Sequence, residues 1–248
     1  ISCGRKSVVP SIFLKKKFEN KIMNIHIQDP KVSLNNFDFV IAPEHDGLEG
    51  INVLKSKGAI HYLTEVELIK NTNYLKPQIK KEKVIVFIAG GPNKYYDFND
   101  KIIEKIFIKT KKNFINQGYQ LIFIPSMRTP QRTIDKAQHF FDDDQIIISN
   151  IDKKAYLSAL SLADHIIVTC DSTSMISEAA MTGRPIYVAQ MPTIKKNIRF
   201  QKFFELFKSL DIIKNLEDKV EEWNYKKLNE THRISGYIEK QFKDYDFS

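Results

Sequence analysis

The stretch 164–188, Asp-His-Ile-Ile-Val-Thr-Cys-Asp-Ser-Thr-Ser-Met-Ile-Ser-Glu-Ala-Ala-Met-Thr-Gly-Arg-Pro-Ile-Tyr-Val, holds a strand, a polar turn, a helix and a second strand in that order. The apolar run His165–Thr169 reads as the strand. Asp171-Ser172-Thr173-Ser174 is the turn, and a helix follows from about Met175 to Thr182. It stops at Gly183 and passes through Pro185 into the next apolar run. A hydroxyl-rich turn between a strand and a helix points backbone N–H groups at an anion. Glu178 lies one turn into the helix, on the face of Ser174. The combination suits a nucleotide, with a diphosphate on the amides of the helix start and ribose hydroxyls on the Glu178 carboxylate. The same residues also have a purely structural use: Ser174 caps the helix, Gly183 ends it, and Glu178 is a solvated acid.

Upstream of this stretch the pattern is regular. Val84–Ala89, Leu121–Ile124 and Gln145–Ile148 read as strands. Asn99–Phe114, Gln131–Phe141 and Lys154–Ala163 read as the intervening helices, and Ile186–Ala189 as a last strand. Alternating strands and helices with near-continuous apolar strands predict a parallel sheet covered on both faces. Every post-strand turn then lies along one edge, where open α/β sheets take ligands. That edge collects Gly90-Gly91, Ser126–Thr129 and Asp171–Ser174. The nucleotide reading requires those three loops to converge with Glu178 beside them.

The first eighty residues are less regular. Ile22–Ile27 and Phe37–Ala42 read as buried strands, and Ala59–Leu63 as another short one. The lysine-rich segment Asn71–Lys83, with Pro77, reads as a linker. The expected division is 1–80, 81–225 and a closing helix within 226–248 that packs back on the first part. Past Pro192, Phe200–Leu210 carries a core-facing stripe at helical spacing. The chain opens Ile1-Ser2-Cys3-Gly4-Arg5-Lys6-Ser7 with no methionine, as though on the end of a strand and its turn. Upstream residues are therefore expected to be missing, leaving the amino-terminal domain truncated.

With 248 residues and 42% hydrophobic content, the chain is long enough for one large or two small cored domains. The net charge of +8 favours anionic partners: nucleotides, anionic lipid headgroups or nucleic acid. The lysines are scattered, and neither an arginine-rich block nor zinc-finger spacing is present, so a specific nucleic-acid reader is not expected. Two isolated cysteines, Cys3 and Cys170, fit a reducing compartment rather than a disulfide framework. No apolar run approaches the ~18 residues of a membrane span. A cytoplasmic protein is expected, with peripheral membrane contact left open.

Three more groups are candidates for chemistry. Gly90-Gly91 would let backbone amides approach a phosphate, or would simply make a tight turn. Arg128, in Ser126-Met127-Arg128-Thr129-Pro130, is an obligate cation shaped for phosphate, or a surface arginine ahead of a helix. Glu44-His45-Asp46 ends a strand in the first half. His45 is the side chain suited to proton transfer near neutral pH, and either acid would orient it; the alternative is a loop hydrogen-bonded to its own backbone. The remaining histidines show no ligand spacing, so no metal site is expected.

Taken in order, Ser2–Ser7, Ile27-Gln28-Asp29-Pro30, Ala42–Gly47, Gly90-Gly91-Pro92, Ser126–Pro130 and Thr169–Ala179 resemble the mitochondrial-fission "elongated mitochondria" family. That family resembles nucleotide-sugar glycosyltransferases of the GT-B type, which carry two Rossmann-like parallel-sheet domains. The resemblance implies an α/β fold of that kind. Its carboxyl-terminal domain would hold a nucleoside diphosphate sugar as donor substrate, with no other cofactor. Gly90, Gly91 and Ser172–Ser174 would face the diphosphate and Glu178 the ribose, with His45 as base for an acceptor, which would be membrane-linked or otherwise anionic. Because plant members are linked to recruiting the division dynamin, it also implies an alternative, a scaffold that keeps the fold without the reaction.

Overall fold

A parallel strand covered on both faces becomes a continuous apolar run, and Lys83–Ala89 is such a run in the computed structural model, which describes residues 1–216 and 219–246. In chain order the elements are β1 (Ser2–Cys3), α1 (Val8–Phe18), β2 (Ile25–Ile27), β3 (Phe39–Pro43), β4 (Val53–Ser56), α2 (Glu65–Asn71), β5 (Lys83–Ala89), α3 (Asp100–Asn113) and β6 (Tyr119–Pro125). They continue with α4 (Gln131–Phe140), β7 (Ile146–Ile147), α5 (Lys153–Leu162), β8 (His165–Thr169), α6 (Thr173–Ala180), β9 (Ile186–Ala189), α7 (Ile198–Ser209), β10 (Ile213–Asn215) and α8 (Glu230–Lys243). The chain divides into two units: Ile1–His61 with the segment from Asn229 on, and Tyr62–Leu228.

The first unit is a parallel sheet of order β1-β2-β3-β4. Side chains alternate across it, as a strand's two-residue period requires. Val40 packs with Val8 and Phe37 on the α1 side, whereas Ile25 and Ile41 pack with Ile234 of α8 on the other. Helix α8 is held by the buried Glu230, which accepts from Lys57 N at 2.8 Å and from Arg233 Nη2 at 2.7 Å.

The second unit is a parallel sheet of order β10-β9-β8-β5-β6-β7. Strand β5 is central, paired through Ile85↔Leu121 on one side and Ile85↔His165 on the other. Phe87 stacks on Phe123 and meets Phe107 of α3 edge-on, and all three are fully buried. The strand order reverses between β5 and β8, so the connections leaving these two neighbours run to opposite sides and open a crevice at their carboxyl ends.

Four expectations need correction. Ala59–Leu63 forms no strand; the fourth strand of the first sheet is β4, earlier in the chain. The segment around Asn71–Lys83 is not a free linker, and the second unit begins at Tyr62 rather than 81. Leu63, Leu68 and Leu75 enter the large core, and Leu75 N donates to Ser158 Oγ of α5 at 3.0 Å. Helix α6 starts at Thr173, because Ser172 takes the extended N-cap conformation and its Oγ accepts from Met175 N. Helix α1 and strand β10 were not foreseen.

Candidate functional site

The loops after β5, β6 and β8 meet at Asp171. Its carboxylate is buried without exposure, and Oδ2 accepts from Gly91 N at 3.0 Å and pairs with Arg128 Nη2 at 2.7 Å. Asn93 Nδ2 donates to the Asp171 carbonyl at 3.2 Å. Thr129 Oγ1 has its single proton within reach of the carbonyls of Ala89 (2.8 Å) and Gly90 (2.7 Å), and Ser126 N donates to that of Ala89 (3.0 Å). The two glycines are needed for this packing. A Cβ on Gly90 would stand 2.2 Å from both Asp171 carboxylate oxygens, and one on Gly91 1.9 Å from the Arg128 carbonyl oxygen. The expected phosphate cradle is therefore corrected at these positions. Gly90 N already donates to Thr169 Oγ1 at 2.7 Å and Gly91 N to Asp171, so both amides are engaged within the protein. Close approach is the reason for glycine here, but to a buried carboxylate and a carbonyl.

Beside this knot lies a cavity of about 350 Å³. Ile88, Ile124, Ile151 and Met175 give it an apolar wall, while Ser126 and Met127 bring the loop after β6 to its margin; Met127 is 90% exposed. Glu178 lies in the same lining with Tyr156, whose hydroxyl donates to Glu178 Oε2 at 2.5 Å. Burial pushes the Glu178 carboxyl above its ordinary range, against the opposing pull of the Tyr156 hydrogen bond. Tyr156 is raised in turn, by burial first and by the neighbouring Glu178 charge second. At the rim, Lys153 Nζ stands 4.4 Å from the centroid of the Tyr62 ring. An acid with a raised pKa in a concave apolar site is a frequent mark of a binding or catalytic centre.

Arg128 keeps 42% of its side chain exposed. Ser172 caps α6, Thr173 opens the helix, and Ser174 is exposed in its first turn. These residues follow β6 and β8, and Ser172 Oγ is occupied by its cap. His45 belongs to the other unit. It is buried in the turn after β3, with Nε2 3.6 Å from Asp46 Oδ1, while Glu44 is exposed. Among the described residues no cluster of three or more His, Cys, Asp or Glu could hold a metal ion, and no helix is long and apolar enough to cross a membrane. Cys170 is buried, and burial raises its thiol to about 12.

Tyr156 and Tyr62 are candidate-site residues that the sequence reading passed over, and Asp171 was placed in the turn but given no role. Asp171 had a visible signal: it stands two residues past the end of β8 and is the only acid in a turn of hydroxyls. The two tyrosines had none, because their partner Glu178 is 22 positions or more away and reaches them only through the fold.

A family model described as mitochondrial fission ELM1 matches residues 1–242. The uncharacterized protein RP120 of Rickettsia prowazekii is 27% identical over 291 residues, covering 98% of this chain and 79% of its own length. The mitochondrial fission protein ELM1 of Arabidopsis thaliana is 26% identical over 272 residues. That match takes in 97% of this chain but 63% of the plant protein, so the chain spans less than two thirds of that relative. Among solved structures, the UDP-GlcNAc 2-epimerase of Neisseria meningitidis, bound to UDP-GlcNAc, aligns over 97% of this chain and 75% of its own with a TM-score of 0.52 at 14% identity. The epimerase of Methanocaldococcus jannaschii aligns over 96% and 76%, also at 0.52 and 14%. At such identity the likeness is one of fold: two parallel-sheet α/β units of the GT-B-like kind.

Proposed function

The chain belongs to the mitochondrial fission ELM1 family, and on that footing we propose that it is a GT-B-like glycosyltransferase whose Tyr62–Leu228 unit takes a nucleoside diphosphate sugar as donor. The observation that carries the reading is Glu178: a half-buried carboxylate beside the apolar wall of a cavity, at the crevice where the strand order reverses. The base would lie against Ile88, Ile124, Ile151 and Met175, and the ribose hydroxyls would donate to Glu178 in place of Tyr156. Arg128, with the start of α6, would neutralise the diphosphate as it leaves the anomeric carbon. His45, with Asp46 beside it, is the candidate base for the acceptor hydroxyl. A net charge of +8 suits an anionic or lipid-linked acceptor.

Thermal melting of the full chain with UDP, CDP, GDP, ADP and UDP-GlcNAc tests the donor. A ligand at 100 times its Kd stabilises by about 2.7 kcal/mol, which for a unit of this size is a rise of roughly 5–10 °C. E178A should remove most of it. A chain that none of the five ligands stabilises would defeat the proposal. H45A separates the enzyme from a scaffold that only binds: it should keep the thermal shift and lose release of UDP from UDP-sugar. Equal release by H45A and the wild type would remove His45 as the base, and a wild type that binds UDP-sugar without releasing UDP would favour the scaffold.

A further inference from the structure

Asp171 touches no ligand in the reading above, yet it is the most constrained charged group in its unit. Its side chain has no exposure, Oδ2 carries both the Gly91 amide and the Arg128 guanidinium, and Oδ1 has no hydrogen-bond partner among the described residues. A buried carboxylate is held in place only by its partners, and here, among the described residues, its cation is an arginine from a different loop. The neighbouring positions are glycine because a Cβ on either would collide with this knot.

We propose that Asp171 is a positioning residue for the donor diphosphate. It clamps Arg128 before any ligand arrives and leaves the rest of the guanidinium turned to the crevice. The inference rests on the nucleotide reading of the same unit. Of the five N–H donors of an arginine, Nη2 serves Asp171 and Nη1 reaches the Gly91 carbonyl at 3.4 Å. The exposed part of the side chain keeps the others available for an anion. Arg128 follows directly on Ser126 and Met127, which line the cavity, so a diphosphate extending from a nucleoside seated there would meet it. The hydrogen bonds of Thr129 and Ser126 to the end of β5 stop the loop from sliding, so the clamp fixes both the cation and its platform. An arginine ordered during folding loses little further freedom on binding, which is the advantage of preorganisation. The opposite use of the same pair is a latch, in which Asp171 competes with the diphosphate for Arg128.

Calorimetric titration of uridine and UDP against the full-length wild type, R128Q and D171N distinguishes these. The readout is the ratio of the two affinities, because a merely structural defect weakens both ligands together and leaves the ratio alone. The wild type should prefer UDP by roughly 10- to 100-fold, the scale of one charge-assisted contact. R128Q and D171N should each reduce that preference to within about threefold, and the double variant should go no lower, as expected for two residues acting as one. A wild-type ratio in D171N overturns the proposal, and so does UDP binding tighter to D171N, which is the latch. If neither uridine nor UDP binds the wild type, the nucleotide reading falls and this inference with it. If both bind and the ratio survives D171N, only the inference falls. Should D171N fail to fold, nitrogen NMR of the ligand-free wild type decides. The Arg128 guanidinium resonances, assigned by their loss in R128Q, should show hindered rotation; freely averaged signals overturn the clamp.

Discussion

At the scale of single residues, the glycine pair and Glu178 make opposite demands on stability. Replacing Gly90 or Gly91 with alanine inserts a methyl where the nearest heavy atoms would be 2.2 and 1.9 Å away. Overpacking of this kind costs about 1–3 kcal/mol or more. G91A should be the worse of the two, because its obstacle is backbone and cannot swing aside. Thermal melts of the two variants, read without ligand, check the order. Glu178 behaves the other way. Burial raises its folded pKa above the unfolded value, so between the two values the native state binds more protons than the unfolded one. Stability therefore falls as pH rises from about 4.5 through the folded pKa, and the penalty stays in place above it. E178Q mimics the neutral acid. It should melt like the wild type near pH 4, melt higher than the wild type by pH 7.5, and bind UDP less well. A variant less stable than the wild type at pH 7.5 would show that the Tyr156 hydrogen bond outweighs the burial. Losing stability to keep an ionisable group in a cavity is the usual trade at a functional site.

At the scale of elements, the repeating β–α pattern between Val84 and Ala189 was legible because its strands are apolar runs between turn residues. Elements whose order comes from distant partners were not. Helix α1 reads Val-Val-Pro-Ser-Ile-Phe-Leu-Lys-Lys-Lys-Phe; its apolar residues show no helical stripe, and Val9 and Phe13 remain exposed. Pro10 looks like a breaker but lies in the first turn, where its missing N–H is tolerated. The segment from α2 to β5 looks like a linker by composition. It is ordered by Leu68 and Leu75 and by the hydrogen bonds of Ser158 Oγ, which accepts from Leu75 N and donates to the Thr72 carbonyl. The site divides the same way. Arg128 was visible by its place after a strand and Glu178 by its place one turn into the helix, whereas the reasons for Gly90 and Gly91 lie in Asp171 and in the Arg128 backbone, distant in sequence. The placement of α2 carries a prediction. A fragment 62–228 should melt cooperatively by circular dichroism. A fragment 81–228, stripped of Leu63, Leu68 and Leu75, should be markedly less stable or insoluble; equal melting of the two would return this segment to the status of a linker.

At the scale of the whole molecule, the crevice exists only because two strands far apart in sequence lie side by side: β5 pairs with β8 through Ile85↔His165. On a ribosome adding 5–20 residues per second, the emerging chain waits roughly 4–16 s between them. Throughout that interval β5, with six buried residues in a row, has one edge without a partner, the situation that invites intermolecular pairing. The charge run Lys80-Lys81-Glu82 immediately ahead of it, continued by Lys83 at its first position, has the composition of a gatekeeper against such pairing. The topology that shapes the crevice thus makes it the last part of the second sheet's centre to close during synthesis, with those lysines guarding the wait.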